Sequence, residues 1–194
     1  DDAGGTIAAR LWWMLDDLGH PRTRLLDGGL AAWTAIGGPL TDLVPTPAPA
    51  TLTLRTAWSR RIEQVGLVER LGSVALLDAR APERYRGDVE PVDPVAGHIP
   101  TARNLPAGRL LGGDGGFLDP EALRLRFQDV AGDGPVVVSC GSGVTAAHLA
   151  LGMRVAGLPA PLLYGGSYSD WSRSGRPVAT GDEPGDAPEE LRRG

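Results

Sequence analysis

The feature that most constrains this chain of 194 residues is an internal repeat, in which residues 138 positions apart match. With a slip of one residue, Asp27-Gly28-Gly29 also aligns with Tyr164-Gly165-Gly166. Each copy is predicted as a helix, a strand, a Gly-Gly turn and a second helix, and a period this long indicates duplicated domains rather than a solenoid. The matching pairs are Ala8 and Ala146, Ala9 and Ala147, Gly19 and Gly157, Leu25 and Leu163, Trp33 and Trp171, and Pro39 and Pro177.

The repeat predicts how the chain is divided into domains. Residues 1–43 are predicted to be the C-terminal part of a degenerate domain, because Asp2 lies where the second copy has Cys140. Alternate prolines then predict an extended linker over residues 44–57. Residues 58–181 contain the second copy and are predicted to form a complete domain. The polar, Gly/Pro-rich residues 182–194 are predicted to be a mobile tail.

Strands and helices alternate along the second copy. Apolar runs predict strands at residues 74–77 and 136–139, and Asp119 is predicted to cap a helix that begins at Pro120. This order predicts an α/β fold with a parallel sheet flanked by helices. In the first copy, the apolar spacing predicts a helix over residues 6–18, followed by a short strand over residues 24–26.

Cys140 is the only cysteine, and it follows a predicted strand and precedes a predicted helix. The N-terminus of a helix carries unpaired N–H groups and a partial positive charge, which favour a thiolate. Glycines in the intervening loop allow its amides to turn inward around an anion. The alternative is an inert cysteine packed in the core. The loop residues that would surround the sulfur are Gly141, Ser142, Gly143, Val144 and Thr145.

The composition excludes several kinds of partner. The formal net charge is −5 and no basic cluster is present, so neither nucleic acid nor an anionic membrane is expected. One cysteine and three histidines leave no disulfide framework and no Cys-rich metal site, and no cofactor is expected. No apolar run reaches the roughly 18–20 residues that span a bilayer. A working thiolate requires reducing conditions, so we expect a cytoplasmic protein.

Five segments of the chain together form a specific pattern. They are Leu77-Asp78-Ala79-Arg80, Glu83-Arg84-Tyr85-Arg86-Gly87, Gly97-His98-Ile99-Pro100 with Ala102 and Asn104, Cys140-Gly141-Ser142-Gly143-Val144-Thr145, and Tyr164-Gly165-Gly166-Ser167 with Trp171. In these segments the chain resembles the tandem rhodanese-domain sulfurtransferases, and the resemblance covers nearly its whole length outside the linker and tail. The cysteine loop is similar to that of 3-mercaptopyruvate sulfurtransferases, whereas thiosulfate-preferring relatives usually carry Arg and Lys directly after the cysteine.

The resemblance implies a rhodanese-like sheet and the transfer of a sulfane sulfur through a persulfide on Cys140. The donor would be 3-mercaptopyruvate or thiosulfate, and the acceptor a thiol, a thioredoxin-like protein or cyanide. A loop without Lys or Arg favours the donor with a single carboxylate over dianionic thiosulfate. Residues 90–94 depart from the family, because Glu90-Pro91-Val92-Asp93-Pro94 lacks the second arginine of many mercaptopyruvate enzymes.

By the same resemblance, Arg84 is the candidate for holding the anionic end of the donor. A guanidinium can bind a carboxylate through two parallel N–H bonds, although a solvated surface arginine is the alternative. Arg86 is a possible substitute. Three further residues are expected to support the site: Asp78 and Arg80 through a salt bridge, and His98 through hydrogen bonds to the backbone of its turn.

Two other functions remain open. A phosphatase of the Cys-x5-Arg type has a similar fold, but its arginine position is Ala146 here, which leaves a phosphoryl group without its bidentate partner. The other is a noncatalytic rhodanese module used for binding or regulation. The presence of Cys140 in a glycine-rich loop argues against that function for the second copy.

Overall fold

A computed structural model describes residues 1–20 and 22–189 of the chain. Among these residues, no helix combines the length and the apolar character that crossing a bilayer requires. The strands are β1 (Arg61–Ile62), β2 (Ala75–Asp78), β3 (Ala102–Asn104), β4 (Val136–Ser139) and β5 (Leu162–Tyr164). The helices are α1 (Thr6–Asp17), α2 (Gly29–Ala35), α3 (Gln64–Val68), α4 (Pro82–Arg86), α5 (Pro120–Ala131), α6 (Ala146–Val155) and α7 (Ser167–Arg173), with a 3-10 helix at Ala107–Leu110.

The five strands form one parallel sheet in the order β1-β5-β4-β2-β3, which confirms the predicted α/β fold. Alternate residues of the central strands point to opposite faces, so the sheet separates two hydrophobic cores. Leu77 and Val138 pack with α1, α5 and α6, whereas Leu76 and Val137 pack with α3, Tyr85 and α7. Because apolar side chains cover both faces, the central strands β2 and β4 consist of short apolar runs that end in Asp78 and Ser139.

The predicted start of α5 is confirmed in atomic detail. The carboxylate of Asp119 accepts a hydrogen bond from the backbone N–H of Ala122 at 2.9 Å, and Pro120 occupies the first turn. The cap satisfies an N–H group that lacks a partner within the helix. Proline has no N–H to leave unsatisfied at this position.

The first helix, α1, packs against α6 through one face that includes Ala9, Trp12 and Trp13. Ile7 and Leu11, two of the apolar residues whose spacing predicts this helix, are 63% and 60% exposed. The predicted helix is thus confirmed, and Trp12 and Trp13 lie on its buried face. Two apolar stripes run along α1, and the stripe with the two tryptophans is the one that faces α6.

Asp17, at the end of α1, connects residues 1–43, which we call the first unit, to residues 58–181, which we call the second unit. Its fully buried carboxylate accepts hydrogen bonds from Ser59 Oγ at 2.6 Å and Arg60 Nε at 2.8 Å, and from the backbone N–H of Ser59 at 3.0 Å. Burial alone would raise the pKa of this carboxyl, but these hydrogen bonds lower it below its ordinary value. The buried charge is therefore fully paired, and it fixes α1 relative to β1.

The strand predicted at residues 24–26 is wrong. This segment is extended, but within the described residues no strand lies beside it to complete a ladder. The second helix of the unit, α2, forms as predicted. Trp33 Nε1 donates to the carbonyl oxygen of Pro39 at 3.1 Å, and Trp171 Nε1 donates to that of Pro177 at 2.9 Å. The same bond thus occurs at both positions of the 138-residue offset.

Residues 38–55 contain no helix or strand and are mostly exposed. Residues 182–189, for which the sequence predicts a mobile tail, contact residues 58–181 at several points. The carbonyl of Glu183 lies 3.1 Å from His98 Nε2, the carbonyl of Pro184 accepts from Thr101 N at 2.7 Å, and Ala187 is buried. The remainder of the predicted tail, residues 190–194, lies outside the described residues.

Candidate active site

Cys140 lies directly after β4, at the carboxyl edge of the sheet and between the ends of β2 and β5. Ligands of open parallel sheets bind at this edge. Cys140 is 2% exposed, and its Sγ accepts a hydrogen bond from the backbone N–H of Gly143 at 3.1 Å. The loop therefore turns an amide toward the sulfur, and α6 begins directly behind it at Ala146. We call residues 140–145 the cysteine loop.

Gly143 has a backbone conformation that the loop needs and that glycine adopts without strain, with a φ of 79°. A Cβ at this position would overlap the carbonyl oxygen of Gly165, which follows β5. The loop after β4 is thus pressed against the loop after β5. This contact holds the Gly143 N–H at the sulfur.

The first residues of α7 hold the backbone of the cysteine loop through hydrogen bonds. The N–H groups of Tyr168 and Ser169 donate to the carbonyl oxygens of Cys140 and Gly141, at 2.9 and 2.8 Å. The Cys140 N–H donates to Ser167 Oγ at 3.1 Å, and this hydroxyl donates in turn to the carbonyl of the preceding Tyr164 at 2.8 Å. The backbone on both sides of the sulfur is therefore fixed by residues from one helix start.

Arg84 reaches the cysteine loop from α4. A Cβ placed on Gly141 would lie 3.5 Å from Arg84 Nη1, so the guanidinium lies against the loop backbone. Arg84 Nη2 donates to Glu90 Oε1 at 2.6 Å and lies 3.5 Å from Asp93 Oδ2. The Arg84 Nε atom is buried and, among the described residues, has no hydrogen-bond partner. One edge of the guanidinium is therefore held in place while Nε–H is left to donate.

Two buried carboxylates hold Arg84. Burial would raise the pKa of Glu90, but hydrogen bonds from Arg84 and from the N–H groups of Val92 and Asp93 lower it below its ordinary value. Asp93 also accepts from Arg173 Nη1 at 2.8 Å, so one carboxylate lies between two guanidiniums. Much of the Arg84 charge is therefore compensated by these carboxylates.

Asp78 and Arg80 form the predicted salt bridge, at the end of the neighbouring strand β2. Arg80 Nη2 lies 2.7 Å from Asp78 Oδ2 and also donates to the carbonyl of Gly97 at 2.7 Å, and both side chains are buried. The Arg80 guanidinium covers the ring of Tyr168 at 4.0 Å from its centroid. Arg80 thus packs against α7, whose first residues hydrogen-bond the cysteine loop. The N–H groups of Arg80 are occupied by protein acceptors.

His98 and Arg86 lie outside the group around the sulfur. His98 is fully buried and stacks on Tyr85 with ring centroids 3.8 Å apart, and its Nδ1 and Nε2 lie 2.8 and 3.1 Å from the carbonyl oxygens of Tyr85 and Glu183. Burial lowers the pKa of this ring, and its contacts to backbone agree with the predicted structural role. Arg86 pairs with Asp88 at 2.7 Å and with Asp182 at 3.8 Å on the surface.

The sequence analysis assigned no role to three residues of the site. Ser167 is distinguished in the sequence only by following the Gly-Gly turn. Glu90 pairs with Arg84, and no motif in the surrounding residues indicates this ion pair. Arg10 donates from α1 to the carbonyl oxygen of Gly143 at 3.2 Å, across a separation of 133 residues. No local pattern could have revealed that contact, because it depends on the packing of α1 against α6.

A cavity of about 710 Å³ lies at the opposite edge of the sheet, remote from the sulfur. It is bordered by the amino ends of β4 and β5 and by α5 and α6, and its walls are mostly apolar. Because Cys140 emerges at the carboxyl ends of the strands, this cavity is separate from the candidate site. Its lining includes Phe127, Val136, Met153, Leu158 and Leu162.

The parallel sheet, the loop turned toward a buried cysteine and the helix behind it define a rhodanese-type fold and site. Residues 63–174 match the model of the rhodanese-like domain, and the chain belongs to this family. This result confirms the family that the quoted motifs indicated.

Similar proteins carry sulfurtransferase names. The chain is 48% identical over 189 residues to the "Probable 3-mercaptopyruvate sulfurtransferase" of Pseudomonas aeruginosa, covering 94% of this chain and 66% of that protein. It is 38% identical to the thiosulfate sulfurtransferase of Rattus norvegicus, covering 91% and 62%. The solved structure of the 3-mercaptopyruvate sulfurtransferase from Leishmania major superposes with a TM-score of 0.76 at 34% identity, covering 91% and 51%. The chain thus spans about two thirds of the length of these curated relatives.

Proposed function

We propose that the chain is a sulfurtransferase that carries a sulfane sulfur as a persulfide on Cys140. The observation that carries this proposal is the hydrogen bond of 3.1 Å from the Gly143 N–H to the Cys140 sulfur, in a loop that opens onto a helix N-terminus. The same donors that stabilise a thiolate stabilise a persulfide anion without rearrangement. The relatives named as sulfurtransferases support the assignment.

The preferred donor is 3-mercaptopyruvate. The Cys140 thiolate attacks the donor sulfur, the carbon–sulfur bond breaks, and its electron pair stays on the carbon, which takes up the thiol proton and leaves as pyruvate. The enzyme keeps Cys–S–S⁻. In the second half, cyanide or a thiolate such as that of a thioredoxin-like protein attacks the outer sulfur, the S–S bond breaks, and the Cys140 thiolate is regenerated. Two separate half-reactions predict ping-pong kinetics.

Arg84 is proposed to bind the donor carboxylate. Its Nε–H is buried and lacks a protein partner, while Glu90 orients the other edge of the guanidinium. Ser142 and Thr145 are proposed to line the approach to the sulfur, together with Gly141, Gly143 and Val144. Asp78, Arg80 and His98 are assigned supporting roles through the backbone contacts already described.

Thiosulfate is the second candidate donor, because one relative is named for it. The thiolate would attack its outer sulfur and release sulfite. The partly neutralised charge of Arg84 and a cysteine loop without Lys or Arg favour the donor with a single carboxylate. A noncatalytic rhodanese module is the third candidate, and the amide turned toward Cys140 argues against it.

We further propose that residues 1–43 belong to a degenerate domain joined to the domain at 58–181 by the linker at 44–57. The shared tryptophan–carbonyl bond of Trp33 and Trp171 supports this division, as does the equivalent place of α1 and α6 in the repeat. A cytoplasmic location is proposed from the chemistry, since an unpaired nucleophilic thiol is best preserved under reducing conditions.

Intact-mass analysis tests the function. The protein and its Cys140→Ser variant are incubated separately with 3-mercaptopyruvate and thiosulfate, washed, and then treated with cyanide. We expect a gain of one sulfur that requires Cys140, forms faster with 3-mercaptopyruvate and disappears with cyanide. Faster loading by thiosulfate would show that thiosulfate is the preferred donor, and the persulfide mechanism would stand. A folded protein that loads from neither donor would be assigned to the noncatalytic class.

A further inference from the structure

Arg10 connects the first unit to the cysteine loop. From α1 its Nη1 donates to the carbonyl oxygen of Gly143 at 3.2 Å. The guanidinium is held over the ring of Trp13, 5.5 Å from the centroid, and Trp13 is buried and stacked on Trp58. A long, flexible side chain is thus fixed by an aromatic surface and aimed at one carbonyl of the loop.

Gly143 has two functions in this arrangement. Its N–H donates to the Cys140 sulfur, and its carbonyl accepts from Arg10. The next peptide unit, from Gly143 to Val144, is planar and trans, so its C=O and N–H point in opposite directions. When Arg10 holds the carbonyl outward, the Val144 N–H is directed away from Arg10.

This restraint is needed because glycine allows the peptide to rotate. Gly143 lies in the left-handed region, and conformations of both signs of φ are accessible to it. Rotation of the Gly143–Val144 peptide would exchange its N–H and C=O directions and turn an oxygen lone pair inward. A carbonyl oxygen facing a thiolate or persulfide is repelled by its charge. The contact with Arg10 opposes that rotation at the carbonyl itself.

We propose that Arg10 is a positioning residue for sulfur transfer, which holds the Gly143 carbonyl outward so that the loop presents amides, and not a carbonyl, to the sulfur anion. This inference rests on the proposed function, and it assigns the first unit a part in the chemistry of the second. Arg10 acts through the backbone of Gly143 and requires no contact with the donor.

The test compares Arg10→Gln, Arg10→Lys and the control Arg24→Gln, which removes the same charge from an exposed position of the same unit. The rate of persulfide formation on Cys140 is measured against donor concentration by quenched intact-mass analysis. For Arg10→Gln we expect the maximal loading rate to fall about ten-fold with the half-saturating donor concentration unchanged. Arg10→Lys should recover part of the rate, since it keeps the charge, and Arg24→Gln should match the unmodified protein.

A second measurement separates this inference from the proposed function. The rate of alkylation of Cys140 by iodoacetamide at neutral pH reports the stabilisation of the thiolate without any sulfur donor. Slower alkylation of Arg10→Gln than of Arg10→Lys, at equal melting temperatures, supports the positioning role. Equal alkylation of all four proteins overturns it. If the unmodified protein takes up no sulfur, the proposed function fails, and the alkylation rates still decide the role of Arg10.

Discussion

Gly143 and Gly165 touch across the loops that follow two adjacent strands, β4 and β5. Gly143 directs its N–H to the Cys140 sulfur, and Gly165 presents its carbonyl oxygen where a side chain of Gly143 would lie. The position of the amide at the sulfur therefore depends on a backbone contact that only glycine permits. The surroundings of the sulfur are therefore formed more by backbone atoms in close contact than by side chains.

Replacing Gly143 by alanine should destabilise the fold and also displace the N–H group that donates to the Cys140 sulfur. The new Cβ overlaps the Gly165 carbonyl, and a φ of 79° is strained for alanine. We expect a loss of about 1–3 kcal/mol in the free energy of unfolding, measured by urea titration with circular dichroism. Gly141→Ala is the matched control, because its Cβ meets only Arg84 at 3.5 Å. Equal stabilities of the two variants would show that the contact tolerates a side chain.

Ser167→Ala should weaken the support of the cysteine backbone. The hydroxyl accepts from the Cys140 N–H and donates to the Tyr164 carbonyl, and its loss leaves two buried groups without that partner. We expect a loss of about 1–3 kcal/mol in unfolding free energy. Ser169→Ala in the same helix is the control, because Ser169 contributes its backbone N–H to the loop. A Ser167→Ala variant as stable as this control would contradict the role assigned to the hydroxyl.

Arg84→Gln should raise the KM for the anionic donor by about ten-fold or more, because it removes the charge that we propose pairs with the donor carboxylate. The rate of alkylation of Cys140 by neutral iodoacetamide should change little. Arg86→Gln serves as the control, since the partners of Arg86 are the exposed carboxylates Asp88 and Asp182. Steady-state assays with 3-mercaptopyruvate and cyanide measure both constants. A larger rise in KM for Arg86→Gln would exchange the roles of the two arginines.

His148 should make the fold sensitive to mild acid. The ring is buried in α6, hydrogen-bonds the Gly4 carbonyl at 3.0 Å and stacks on Phe117, and burial lowers its pKa from 6.5 to about 4. The unfolded chain therefore binds the proton more tightly, so stability is lost as the pH falls from about 6.5 toward about 4. At about 1.4 kcal/mol per pKa unit, the loss attributable to this residue is at most about 3.5 kcal/mol.

The His148→Gln variant provides the comparison, because the glutamine amide can still donate to Gly4. Urea unfolding at a series of pH values between 7 and 4 should give a shallower decline in stability for the variant than for the unmodified protein. His98, whose pKa is also lowered, is present in both proteins and cancels in the difference. Parallel pH profiles would show that His148 titrates normally in the folded state.

The sequence predicted features that depend on local chemistry. The cap at Asp119 and the strand ending before Cys140 follow from residue types within a few positions. The strand predicted at residues 24–26 failed because a strand needs a neighbour, and apolar character alone does not supply one. The apolar spacing of α1 predicted the helix without deciding its buried face, since Leu11 and Trp12 are both apolar and only packing against α6 decides between them.

The sequence predicted those parts of the candidate site that are formed by neighbouring residues of the chain. Cys140 and the loop after it could be identified, because their composition is unusual and their order along the chain is their order in space. Arg10 could not, since its contact with Gly143 spans 133 residues and carries no local signal. Glu90 was noted only as part of a departure from the family pattern, although its carboxylate orients Arg84.

The bonds from α7 to the cysteine loop also have a consequence for biosynthesis. A ribosome makes Cys140 before Ser167, Tyr168 and Ser169, whose groups complete the hydrogen bonds of the loop. During translation the backbone around Cys140 therefore lacks these hydrogen-bond partners until α7 has been made. The cysteine loop can reach its final conformation only when this last helix folds onto the sheet.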